Sequence, residues 1–203
     1  MAPGANPSST SPTSTKSITL RQKQLKKWLD SKIQDEFKFD YVLIDCPPNL
    51  GVLAFNALEA ADEVIIPIEP SFFSLHGLGK ISETIHKINQ RRNQPIEDHA
   101  LLTLFDSRTR FAKEVYEEVK RHFQNKLFKA IIHESVLLRE AASAGESIVQ
   151  YAPDSNAHRD YLNLAVEYLE REWDKLLPEH ELGWKNVWLN YYGPRRVVGG
   201  ILF

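Results

Sequence analysis

Several features that would assign a protein class are absent from this sequence. Cys46 is its single cysteine, which excludes an internal disulfide and a zinc site built from cysteines. No apolar run approaches the roughly 20 residues that a transmembrane helix needs, and the first residues lack the apolar core of a signal peptide. We therefore expect a cytosolic protein that does not span a membrane, with Cys46 as a buried, small apolar side chain.

A strong charge of one sign is also absent. The 25 Lys and Arg residues nearly balance the 27 Asp and Glu residues and give a net charge of −2. This composition does not by itself indicate a nucleic-acid-binding protein, but it leaves room for a local basic patch. The 42% of hydrophobic and 26% of charged residues are ordinary for one globular domain in a chain of 203 residues.

What is present divides the chain into three segments. Residues 1–17, MAPGANPSSTSPTSTKS, are rich in Pro, Ser and Thr and are predicted to be disordered, because they have little apolar surface to bury. Residues 18–177 form the predicted α/β domain. Residues 178–203 form a tail that is rich in aromatic residues and contains Arg195 and Arg196. The tail is either an arm that docks on a partner or on bases, or a divergent end that packs on the domain or stays disordered. We prefer the second interpretation.

The domain alternates predicted helices and strands. Leu25, Trp28, Leu29, Ile33 and Phe37 share one face of a first helix. Strands are then predicted around 42–44 and at 63–68, 100–105 and 127–132, and helices at 52–60, through 78–88, and at 111–123, 137–144 and 157–174. This alternation indicates an α/β fold with a parallel sheet that carries helices on both faces. Ligands of such sheets bind beyond the carboxyl ends of the strands, where Asp45, Asp106 and His133 should emerge.

The most informative stretch is FDYVLIDCPPNLG, residues 39–51. Its apolar run, residues 42–44, is typical of a strand covered on both faces, and Asp45 follows where that strand leaves the sheet. A carboxylate there can hold Mg²⁺, directly or through water. Pro47 and Pro48 restrict the path of the following loop, and Gly51 allows a tight entry into the next helix.

This stretch resembles the Walker B strand and switch II of the ParA/Soj/MinD family of deviant-Walker P-loop ATPases, which partition plasmids and chromosomes. Further segments that resemble the family follow in the family's order and cover about residues 20–173. They are NAL (56–58), ADEVIIPIEP (61–70), SLHGL (74–78), LLTLFDSRTR (101–110), EVYEEVKRHF (114–123) and LREAASAGESIVQY (138–151).

The resemblance implies roles for particular residues. Asp45 would position Mg²⁺ as the catalytic carboxylate, and the switch II residues would move when the γ-phosphate is lost; they are Pro47, Pro48, Asn49 and Gly51. The adenine would lie between the loops after two later strands, near Phe105, Asp106, His133, Glu134 and Ser135. Many relatives have PRN in the second loop where this chain has HES (133–135), so no arginine contact is expected there. The implied cofactors are ATP and Mg²⁺.

The family also suggests a nucleic-acid surface and protein partners. Many members dimerise with ATP, bind DNA without sequence preference, and respond to a ParB-type partner in the cytoplasm or on the nucleoid. The basic candidates for such a surface are Arg108, Arg110, Lys113, Lys120, Arg121 and Arg139. Lys113, Lys120 and Arg121 are interleaved with glutamates, however, which is also typical of a solvated helix face.

The family's phosphate-binding loop, KGGxGKT, and its switch I motif, DxDPQ, do not occur in this sequence. The chain therefore resembles the C-terminal two thirds of a ParA protein, a P-loop NTPase-like fold that is incomplete at its N-terminal side. The absent loop would supply most of the phosphate contacts, so we expect weak nucleotide binding and little or no ATPase activity. An alternative is a non-enzymatic module that binds DNA or a partner. The family's first strand lies next to the Asp45 strand, so we also expect self-association or another chain that supplies that strand.

Overall fold

The fold is described by a computed structural model, which covers residues 23–35, 39–47, 49–176 and 196–201. The predicted disordered segment 1–17, Phe37, Pro48 and the aromatic residues of the tail lie outside this description. The helices are α1 (Gln24–Asp35), α2 (Val52–Ala60), α3 (Phe72–Asn89), α4 (Arg110–Phe123), α5 (Val136–Ala144), α6 (Ile148–Tyr151) and α7 (Asn156–Leu176). The strands are β1 (Tyr41–Cys46), β2 (Glu63–Ile68), β3 (Glu97–Phe105), β4 (Leu127–His133) and β5 (Arg196–Ile201).

These strands form one five-stranded sheet in the order β1-β5-β2-β3-β4. Every neighbouring pair is parallel. The buried residues of the sheet and helices form a core on each face. One contains residues of α2, α3 and α4, and the other contains Leu101, Phe128 and Ile132 with side chains of α5 and α7 packed against them. The predicted α/β fold, with a parallel sheet and helices on both faces, is therefore confirmed.

The position of β5 is the main departure from expectation. Residues 196–201, which the sequence analysis assigned to the tail, lie inside the sheet between β1 and β2. Tyr41 to Cys46 pair with Arg196 to Ile201 along the whole of β1, and Glu63 to Ile65 pair with Val198 to Gly200 on the other side. The place beside β1 at which we expected a gap, or a strand from another chain, is occupied by a strand of the same chain.

Most predicted elements are found where the sequence placed them. The helix at 52–60 and the strand at 63–68 have the predicted bounds. Two apolar positions assigned to buried helix faces are wrong, since Trp28 is 55% exposed and Phe111 is 45% exposed. The short helix α6 was not predicted; it is fixed by a capping box in which Ser147 and Gln150 bond each other's backbone N–H groups.

Helix α7 covers the outer edge of β4. The Glu167 carboxylate accepts hydrogen bonds from the backbone N–H groups of Lys129 and Ala130, at 2.9 and 2.8 Å. The Asp160 carboxylate accepts one from the backbone N–H of His133 at 3.0 Å. Arg171 donates to the carbonyl of Leu127 at 2.6 Å and to Glu167 at 2.7 Å. The side chains of one helix thus occupy edge groups that would otherwise be open to another strand.

Within the described part of the chain, no helix is both long enough and apolar enough to cross a membrane.

Candidate functional site

Asp45 lies at the carboxyl end of β1, one residue before the strand ends. Its side chain is exposed, and no hydrogen bond or ion pair to the carboxylate occurs among the described residues. The next residue, Cys46, is buried, as predicted, and burial together with the charge of Asp45 raises the pKa of its thiol. The strand end therefore presents one accessible carboxylate and keeps the neighbouring thiol protonated.

This carboxylate suits Mg²⁺. Mg²⁺ prefers oxygen ligands, keeps several waters, and is commonly held by one or two carboxylates together with phosphate oxygens. A single exposed aspartate at the carboxyl edge of a parallel sheet matches that requirement. Asp45 therefore offers the type of ligand that Mg²⁺ accepts beside a phosphate.

The loop after Asp45 is closely organised. The backbone N–H of Asn49 donates to the carbonyl of Pro47 at 2.8 Å, and that of Gly51 donates to the Asn49 side-chain carbonyl at 3.2 Å. Gly51 is the N-cap of α2 and has an ordinary φ of −87°. A Cβ at this position would lie 2.9 Å from the Asn49 side-chain oxygen. A larger residue here would displace the Asn49 side chain from its hydrogen bond, while the backbone angle itself is open to any residue.

A cleft of about 510 Å³ opens beside Asp45. Its walls come from α1, the end of β1 and α2, and they are mostly apolar, with Leu25, Trp28 and Leu53 among the lining residues. Asn56 joins the two helices, because its side-chain carbonyl accepts from the N–H groups of Gln24 and Leu25 at 3.1 and 3.4 Å. The sequence analysis quoted Asn56 within a motif but assigned it no role.

A second cleft of about 620 Å³ lies at the carboxyl end of β4. Three of the predicted base-contacting residues, His133, Glu134 and Ser135, line it. His133 is held by Asp160 of α7, whose carboxylate lies 3.0 Å from the ring Nδ1. Sequence reasoning missed Asp160, because the residue pattern of α7 does not indicate that the second turn of this helix faces the end of β4.

The other two predicted base contacts, Phe105 and Asp106, are engaged elsewhere. Phe105 is buried, with its ring 6.1 Å from that of His133. Arg108 donates to both carboxylate oxygens of Asp106, at 2.8 and 2.9 Å. These hydrogen bonds, from the side chain and then from the Arg108 backbone, lower the pKa of Asp106 to about 2. Asp106 is therefore ionised at neutral pH and already bound to a cation.

Leu104 explains why Phe105 is buried. Its φ is +49°, a region that is uncommon for residues other than glycine, and the pairing of β3 with β4 shifts register between Leu102 and Phe105. Phe105 consequently joins Ala100 and Leu102 in one core, while Leu104 is 47% exposed. No pattern in the sequence predicts this register shift in β3.

The two clefts lie at opposite edges of the sheet. Asp45 ends β1 and His133 ends β4, which are the first and last strands in the order. Four strand spacings of about 4.8 Å separate the strand axes by roughly 19 Å. A nucleotide that contacted both residues would have to lie across the carboxyl ends of β5, β2 and β3.

The predicted basic surface is only partly available. Arg108 pairs with Asp106, Arg121 with Glu118 and Arg139 with Glu134, and the Lys120 ammonium lies over the Tyr116 ring. Arg110 and Lys113, at the exposed start of α4, have no ion pair within the described residues. Of the six predicted basic residues, these two are without an ion-pair or ring contact in the described part of the chain.

Part of the chain is similar in sequence to chromosome partitioning proteins. Residues 8–98 match the family model of an AAA domain. The chain is 39% identical over 148 residues to the sporulation initiation inhibitor protein Soj of Bacillus subtilis, which is 72% of this chain and 57% of that protein. It is 40% identical over 139 residues to the chromosome partitioning protein ParA of Myxococcus xanthus, which is 68% of this chain and 49% of that protein. The chain thus spans about half the length of the curated relatives it matches.

Solved structures agree on the fold. A cobyrinic acid a,c-diamide synthase from Mycobacterium smegmatis, with bound ADP and magnesium, superposes with a TM-score of 0.59 at 28% identity and covers 78% of this chain and 58% of its own. A plasmid partition protein from Borrelia burgdorferi superposes with a TM-score of 0.56 at 22% identity, over 74% and 53% of the two chains.

Proposed function

We propose that this chain, which resembles part of the length of the ParA/Soj family of P-loop ATPases, carries the magnesium and switch half of a partition ATPase. Asp45 is its catalytic carboxylate, and ATP with Mg²⁺ is its ligand. The segment from Pro47 to Gly51 responds to the γ-phosphate. The observation that carries this proposal is the exposed Asp45 carboxylate at the carboxyl edge of the sheet, which no described residue engages and which lies next to a loop held by Asn49.

Little turnover is expected from the chain as given. Most phosphate affinity in such folds comes from the backbone N–H groups and the lysine of the phosphate loop, and no GKT or GKS occurs in the sequence. Asp45 then contributes an ion contact without the groups that stabilise the transferring phosphoryl group. The proposed activity is weak, Mg²⁺-dependent nucleotide binding with hydrolysis near the uncatalysed background.

Titration with a fluorescent ATP analogue, with and without Mg²⁺, tests this. Asp45→Ala should remove the Mg²⁺-dependent part of binding. Asp40→Ala should not, because Asp40 is exposed and lies just before the opposite end of the same strand. Equal Mg²⁺ dependence in all three proteins would refute the role of Asp45. ATP turnover that disappears in Asp45→Ala would refute the expected low activity.

A second candidate function is DNA or partner binding without hydrolysis. The observation that favours it is the pair Arg110 and Lys113, which are exposed and have no ion pair within the described residues. DNA binding measured at two salt concentrations, with and without ATP, separates the candidates. DNA binding that requires ATP supports the ATPase, and DNA binding that is the same with and without ATP supports the non-enzymatic module.

Arg110→Ala with Lys113→Ala should lower the salt slope by about 2, since each phosphate contact contributes about one unit. Lys23→Ala with Lys27→Ala removes the same charge from α1 and the residue before it, and should leave the slope unchanged. An equal loss in both double variants would indicate an effect of net charge and not a DNA surface.

The remaining parts of the proposal follow from the family. Self-association, a ParB-type partner, and a location in the cytoplasm and on the nucleoid are expected for a partition protein. Co-sedimentation of the chain with nucleoids, and its loss in the Arg110 and Lys113 double variant, would test the location.

A further inference from the structure

Strand β5 alone connects β1 to the rest of the sheet. Among the described residues, β1 pairs with no other strand, and β2 pairs with β5 and β3. If β5 is removed, β1 and β2 each expose a row of backbone donors and acceptors. The gap between the two strands has the width of one strand. Such facing edges are strong acceptors for an added strand. We call the space between β1 and β2 the strand slot.

The segment that fills this slot, β5, is far in sequence from the two strands beside it. Residues 177–195 connect α7 to β5, and a chain of that length can span up to roughly 65 Å at about 3.3–3.6 Å per residue. The backbone pairs that hold β5 depend only on its own sequence and on the slot. The same pairs would form if β5 came from another molecule.

The sequence of β5 stabilises its position in the sheet only weakly. It contains Gly199 and Gly200 at the positions that pair with Ile44 and Asp45. Glycine inside a strand loses much conformational freedom on ordering and has no side chain to pack. Only Val198 to Gly200 pair with β2. Opening of β5 is therefore less costly than opening of the strands in the core.

From these observations we propose that the strand slot is an exchange site, in which β5 of a second copy of this chain stands between β1 and β2. Each copy offers one strand and one slot, so reciprocal exchange closes as a dimer. In the exchanged dimer, Gly200 and Ile201 of one copy stand beside Asp45 and Cys46 of the other. Each candidate site is then built from two chains. This inference concerns pairing of the sheet and does not depend on nucleotide binding.

The single cysteine allows a direct test. Ile201 is the register partner of Cys46, and neighbouring strands lie about 4.7–4.9 Å apart, within the Cα separations that disulfides accept. A wild-type chain with a large tag carries only Cys46, and an untagged C46A/I201C chain carries only the introduced thiol. After joint unfolding, refolding and oxidation, β5 of the untagged chain beside β1 of the tagged chain brings the two thiols together, so a disulfide joins the two chains.

The expected result is a disulfide product of mixed mass on a non-reducing gel. Adding V198P to the untagged chain should abolish it, because proline removes a backbone donor from the strand. The single variant I201C reports β5 in its own slot through a disulfide within one chain. If I201C closes within one chain and the mixed product is absent, the exchange is refuted; if neither disulfide forms, the pairing of β5 with β1 is refuted as well.

A measurement without any substitution guards against misfolded variants. Light scattering of the refolded wild-type chain should show a dimer whose fraction rises with the concentration during refolding. A wild-type chain that is monomeric at every concentration contradicts the proposal. So does a V198P chain that dimerises as well as the wild type.

Discussion

At the scale of single residues, Arg92 joins two parts of the molecule. Its guanidinium donates to the carbonyls of Leu58, Glu59 and Ala61, at 3.2, 3.0 and 2.9 Å. These carbonyls belong to the end of α2 and the residue after it, where a helix leaves acceptors without intrahelical donors. Arg92 therefore caps the carboxyl end of this helix.

Arg92→Ala should lower the free energy of unfolding by about 1.5–3 kcal/mol, the usual range for hydrogen bonds to a charged group. Arg92→Lys should recover only part of it, because lysine lacks the planar fork that reaches several carbonyls. Denaturant melts check this, with Arg91→Ala as control, since Arg91 bonds only within its own helical region. An equal loss in Arg91→Ala would contradict a specific cap.

At the scale of elements, α7 and β4 are joined through Glu167. Glu167→Ala leaves the N–H groups of Lys129 and Ala130 without their carboxylate partner and should cost about 1–3 kcal/mol. Glu170, exposed on the same helix, provides the control as Glu170→Ala. Hydrogen exchange of the Lys129 and Ala130 amides should accelerate in the first variant only. Unchanged exchange there would contradict the bonds.

The same carboxylate predicts a pH dependence. Burial alone would raise the pKa of Glu167, but the N–H groups of Lys129 and Ala130 and the Arg171 guanidinium together lower it. The unfolded value is about 4.3, so the stabilisation is fully present above that pH and is lost as the pH falls through the lower folded pKa. The stability difference between wild type and Glu167→Gln should be constant near neutral pH and shrink below about pH 4. A difference that grows on acidification would contradict this sign.

The elements also show how far sequence reasoning reaches. The apolar run of β2 and the periodic apolar positions of α3 are local signals, and they predicted these elements correctly. The strand β5 has no such signal, because RVVGGI contains two glycines and its partners lie more than a hundred residues away. The candidate site divides in the same way. Asp45 and its loop were found from one contiguous motif, whereas the Asp160–His133 contact depends on how separate segments meet.

At the scale of the whole molecule, β5 determines whether the sheet is continuous. V198P should release β1 while the other strands stay paired, because β3 bonds only to β2 and β4. Hydrogen exchange should then lose protection in Tyr41–Cys46 and keep it in Glu97–Phe105. Equal loss in both strands would mean that the sheet opens as one cooperative unit and would contradict this prediction.

The carboxylates of α7 along β4 have a consequence for assembly. Glu167 and Asp160 occupy N–H groups of that edge, whereas at the other edge no described strand pairs with the outer side of β1. In the terms of polymer chemistry the molecule is monofunctional, because a further strand can add at one edge of its sheet and not at the other. Two copies that joined through their β1 edges would present a blocked β4 edge at each end, and a third copy would find nowhere to add.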